Sequence, residues 1–154
     1  MIAVPAPSEC TDLTPLPAAV RQLLTTYEQA GQAASPLLPE LLLQAGRHRS
    51  LALLNALAPH IAPTPEIAQG LRRGAEALLP QRQSPERQAV MDRFMVLGRP
   101  LWQEEDYRKL LASALGHGAW NLPIQIQILR AFTTPALVAP VVGDLSRASQ
   151  ACQA

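Results

Sequence analysis

The residues able to act on a metal or a substrate are few and badly spaced for it. The histidines are His48, His60 and His117. Ligands that share one stretch of chain recur at three to five residues, and no histidine pair here does. Glu104-Glu105-Asp106 is the only acidic run. A catalytic carboxylate pair needs one member desolvated so that its pKa rises. These three instead stand at a helix start with Arg108 and Lys109 one turn on, the pattern of a solvated face matched to the helix dipole. Ser84, Ser113 and Ser146 lack a Gly-x-Ser-x-Gly elbow. The eight glycines are spread singly, so none builds a phosphate-cradling loop. Cys10 and Cys152 lie near opposite ends and read as two free thiols of a reducing compartment. No catalytic residue, metal ligand or cofactor is expected, and the chain reads as a non-enzyme.

What remains is surface for a partner. Residues 110–154 hold three charged side chains, Arg130, Asp144 and Arg147. So low a charge density must be hidden, inside the molecule or against another chain. Trp and Tyr are enriched at interface hot spots. Trp102, Tyr107, Trp120, Ile126 and Phe132 are therefore the candidate protein-binding residues. The expected partner is another protein, presenting a helix or an extended peptide, or a second copy of the chain.

The elements that must position them are helices. Leu and Ala each occur 25 times among 154 residues, against 7 Val and 6 Ile, and only 4% of residues are aromatic. That mix favours helix over strand and an aliphatic core. Fifteen prolines cut the chain into short pieces and exclude a long coiled coil. Ser84-Pro85-Glu86 starts a helix carrying Val90, Met91, Phe94, Met95 and Leu97. Gly98 is expected to end it in a left-handed conformation before Pro100. A second helix from about Leu101-Trp102 buries Tyr107, Leu110, Leu111, Ala114 and Leu115, with Glu104–Arg108 and Glu105–Lys109 pairs outside. This pair reads as a hairpin, and as the hinge between a leucine-rich N-terminal half and the apolar C-terminal third, with Trp102 at its corner.

The rest follows the same punctuation. Residues 1–14 read as a mobile arm, and 15–150 as a single all-helical domain of about seven short antiparallel helices in successive hairpins. Helices are expected from Pro15 to about Ala34, from Ser35-Pro36 to Gly46, from Ser50, from Thr64-Pro65, from Asn121-Leu122-Pro123 and from Thr134-Pro135. Gly70 and Gly74, four apart, suggest close approach to a neighbouring helix. The run Ile124-Gln125-Ile126-Gln127-Ile128 alternates like a strand, but helix is the preferred reading in this context.

The segment Leu41-Leu42-Leu43-Gln44-Ala45-Gly46-Arg47-His48, then Leu51-Ala52-Leu53-Leu54-Asn55-Ala56-Leu57-Ala58 and Pro63, resembles one tetratricopeptide repeat. Gly46 would be the corner glycine, Ala58 the small residue late in the second helix, and Pro63 the terminal proline. The chain departs from the pattern at Leu51, where the family prefers Ala, and at Asn55, where it often has an aromatic. The resemblance implies a small superhelical, repeat-like scaffold that binds a peptide or helix.

Charge removes other classes. Thirteen basic and twelve acidic residues are interspersed, giving +1, so no footprint for nucleic acid exists. No apolar run reaches the ~20 residues of a membrane span. A signal peptide is not visible, so a cytoplasmic adaptor or chaperone is the leading expectation. Export through a machine that needs no cleavable signal gives the alternative: a secreted or injected effector whose first fourteen residues direct export and whose helices act on a foreign protein.

Overall fold

A computed structural model of the chain describes residues 11–31, 36–117 and 121–133, with side chains except at 132 and 133. Seven helices follow in order: α1 (Ala18–Ala30), α2 (Leu37–Arg47), α3 (Leu51–Leu57), α4 (Pro65–Leu78), α5 (Pro85–Gly98), α6 (Glu104–Gly116) and α7 (Leu122–Thr133). A short 3₁₀ turn, Ala58–His60, extends α3. The described residues are all-helical, without a strand, and the alternating run 124–128 lies within α7. The first ten residues of the expected arm, both cysteines and the helix expected after Thr134 lie outside the described residues. Of residues 11–14, Leu13 packs against the core, and Asp12 accepts from the backbone N–H and hydroxyl of Thr14.

Three helix starts carry the caps that the sequence placed there. Ser50 Oγ accepts from the Leu53 N–H at 3.1 Å, Thr64 Oγ1 from Ile67 at 3.3 Å, and Ser84 Oγ from Arg87 at 3.1 Å. Each satisfies a donor that the helix leaves unpaired, a contribution of about 1 kcal/mol. The start of α6 comes later than expected, because Asp106 Oδ2 accepts from the Gln103 N–H at 3.0 Å and fixes Gln103 as the cap.

One hydrophobic cluster, mostly aliphatic, runs from Leu16 to Ile128 through all seven helices. Its centre is the contact of α2 on α4, the most extensive in the fold. Small residues make that contact. A Cβ on Gly46 would stand 2.0 Å from the Gly74 carbonyl oxygen; one on Gly74 would stand 2.5 Å from Phe94 Cζ and 2.6 Å from the Leu42 carbonyl oxygen. Gly46 is therefore a point of backbone approach between helices, and the corner after α2 is turned by Arg49, whose φ is +49°. The close approach expected at Gly70 and Gly74 is present, against Pro39 and Leu42 of α2.

The stretch 84–115 does not close as a hairpin. Gly98 stays helical, and its bare Cα makes room for the Trp102 indole, whose Cε2 would lie 2.4 Å from an added Cβ. The Trp102 Nε1–H donates to the Ala68 carbonyl of α4 at 3.0 Å. Arg72 of α4 reaches Asp106 at 3.5 Å. Both contacts draw the start of α6 onto α4, so α6 packs on α4 and α7 instead of along α5.

Candidate partner-binding surface

The amphipathic logic of α7 runs in two directions. Ile124 and Ile128, four apart, are buried in the core. Leu122, Ile126 and Leu129 follow at i, i+4 and i+7 and point outward. Ile126 is 41% exposed, and Leu115, at the end of the adjoining α6, is 61% exposed. Of the five large apolar side chains exposed among the described residues, four are on these two helices, and the fifth is Val96 of α5. No acidic residue lies on α7, and its single charge is Arg130.

Buried polar groups hold α7 in register. Asn121, just before it, accepts from Arg87 Nη1 at 2.9 Å and donates from Nδ2 to the Leu79 carbonyl at 3.1 Å. Arg87 Nη1 also donates to the Gln81 carbonyl at 3.0 Å. The end of α4, the start of α5 and the start of α7 thus share one guanidinium. Burial pushes the Arg87 pKa down from its ordinary value. Its partners among the described residues are carbonyl oxygens and an amide oxygen, suited to the negative end of α4. A turn further along, Asp92 of α5 accepts from Gln127 Nε2 at 2.7 Å and from Gln88 Nε2 at 2.8 Å. Gln125 Nε2 donates to the Ala114 carbonyl of α6 at 3.3 Å. These bonds face inward, so the outer stripe is carried on a helix with a defined rotation.

The expected contact residues divide. Ile126 is on the exposed stripe. Trp102 and Tyr107 are core residues, 6% and 8% exposed, packed edge to face with ring centroids 5.6 Å apart. Their placement has a local cause: the indole N–H has a buried carbonyl to bond, and Gly98 provides a flat seat. Burial also pushes the Tyr107 hydroxyl pKa up, with Arg99 lowering it and Asp106 raising it. Trp120 lies outside the described residues; Phe132 falls on α7, but its side chain does too. Leu115, Leu122 and Leu129 were missed. Their signal was present as a second apolar stripe on α7, offset from Ile124 and Ile128. Helical spacing groups Leu115 with the buried face of α6, yet it is exposed.

The acidic run and His60 have structural partners. Arg108 pairs with Glu104 and Lys109 with Glu105, as their spacing predicted, while Asp106 serves the α6 cap and faces Arg72. His60 stacks edge-on against Tyr27, ring centroids 5.7 Å apart. Among the described residues no three His, Cys, Asp or Glu side chains converge to hold a metal ion, and no helix is long and apolar enough to cross a membrane. Compared with protein-family models, with curated proteins and with solved structures, the chain has no match in any of the three.

Proposed function

We propose that this chain is a non-enzymatic helical binding module, an adaptor or chaperone, whose partner packs on the outer face of α7. The observation that carries this is the apolar stripe Leu122–Ile126–Leu129, with Leu115 beside it on α6. A row at i, i+4, i+7 is the anchor spacing of helix-in-groove and helix-on-helix recognition. The stripe stands on a helix pinned by Asn121, Gln125 and Gln127, so little ordering entropy is left to lose on binding. The tetratricopeptide-like segment 41–63 is consistent with a protein-binding role.

A photo-crosslinking residue at position 126, introduced into the full-length chain in its native cell, tests this. The expected result is one dominant adduct with a second protein, absent when the same residue is placed at exposed Gln22 on α1. An adduct of twice the chain's own mass would make the partner a second copy. No adduct at 126, together with a monodisperse monomer that binds no hydrophobic dye, would overturn the proposal.

A further inference from the structure

A groove of ≈ 1010 Å³ lies between the end of α1, the start of α2 and the start of α4, with no residue of α6 or α7 in its lining. Its apolar lining includes Tyr27, Leu38 and Ile67, and its rim carries Glu28 and Glu66. Among the described residues no Lys or Arg lines it, although the whole chain has more basic than acidic residues. The two carboxylates are not equivalent. Glu66 sits in the first turn of α4, where the helix dipole favours it. Glu28 sits in the last turn of α1, where the dipole opposes a negative charge, and α1 has no basic residue there to offset it. Neither carboxylate has an ion-pair partner among the described residues. Glu28 is thus a misplaced charge for the isolated fold, standing at the edge of an apolar trough.

We infer that this groove docks a protein segment of opposite chemistry: an apolar anchor side chain seated between Tyr27, Leu38 and Ile67, with a Lys or Arg reaching Glu28 and a second reaching Glu66. The cation at Glu28 would also stand at the C-terminal end of α1, which the helix dipole makes negative. Tyr27 lines the groove beside His60, with which it packs edge to face. This site is separate from the α7 stripe, and its occupant is recognised by positive charge, which the stripe does not select.

The test uses the full chain and a fluorescein-labelled amphipathic peptide of Leu, Ala and Arg, with a twin in which every Arg is Glu. Fluorescence anisotropy is expected to show binding of the Arg peptide and none of the Glu twin, with affinity falling as salt is raised. Glu28→Gln with Glu66→Gln should weaken binding about fivefold, the effect of two surface ion pairs. Glu105→Gln, on α6, should leave it unchanged. In NMR the ring signals of His60 should shift on titration while those of His48 and His117 hold still. Equal binding of the two peptides, no binding of either, an unchanged affinity in the double variant, or shifts at His117 instead of His60 would each overturn the inference. These outcomes leave the α7 proposal untouched, because crosslinking at 126 does not read the groove.

Discussion

Arg87 shows what a single side chain can do in a fold with little polar matter inside. Its guanidinium replaces water for the Asn121 amide, which is sealed from solvent, and for the half-buried Gln81 carbonyl. Arg87→Ala would leave those acceptors unpaired, a loss of about 2–4 kcal/mol. Thermal melts should show it as a Tm lower by several degrees, and Arg87→Lys should recover only part, because an ammonium lacks the planar fork. If Arg87→Ala melts like the parent, this reading of the residue is wrong. Trp102 is the second such residue. Trp102→Ala removes a packed indole and the bond to Ala68, and about 3–5 kcal/mol should be lost in chemical denaturation. Tyr107, against it, gives a pH signature. Burial raises its folded pKa above the ordinary 10.0, so the neutral phenol is the form the fold favours. Its contribution to stability is complete below pH 10 and is lost as pH rises through the folded value. In a Tyr27→Phe background, phenolate absorbance should appear above pH 10 and together with unfolding. Absorbance that rises at 10.0 with the fold intact would contradict this.

Between helices, the decisive contacts are those without side chains. Gly46 and Gly74 allow α2 and α4 to meet backbone to backbone, with Phe94 of α5 filling the far side of Gly74. An alanine gains up to about 1 kcal/mol of helix propensity in isolation. At these positions the gain is overrun by overlap with carbonyl oxygens, which cannot turn aside. Gly46→Ala and Gly74→Ala should each destabilise by about 3 kcal/mol or more. Gly70→Ala is the contrast, because its Cβ would meet Pro39 and Leu42 at 3.0–3.4 Å, and a small relaxation suffices. Urea denaturation of the three variants should place Gly70→Ala near the parent and the other two far below. The spacing of Gly70 and Gly74 announced close approach; nothing in the spacing of Gly46 separated a turn glycine from a packing glycine. The distinction depends on Gly74, a residue 28 positions away along the chain.

For the molecule as a unit, burial and apolar exposure separate onto different residues. The aromatic pair near the α5–α6 corner belongs to folding, and the aliphatic stripe of α7 belongs to the surface. Ile126→Ser with Leu129→Ser removes half-exposed side chains, so Tm should change by no more than about 2 °C. Hydrophobic-dye binding and any self-association seen by light scattering should fall together. A drop in Tm of the size expected for Trp102→Ala would instead place the stripe in the core, and with it the partner proposal would fail.

Helix content, the three hydroxyl-capped starts, the aliphatic core and the charge pairs of α6 were legible in the chain alone. All are governed by residues within about one turn of each other, where backbone geometry and hydrogen bonding are local. The amphipathic period also showed that Ile124 and Ile128 share a face that Ile126 does not. Which of two apolar faces turns inward is a different matter. It is decided by what lies across the gap, here Arg87, Asp92 and the carbonyls of α4 and α6. The same holds for Trp102, whose type fits an interface or a core equally well until a buried carbonyl at Ala68 claims its N–H. Burial is a property of the pair of surfaces in contact, and only tertiary structure brings both surfaces together.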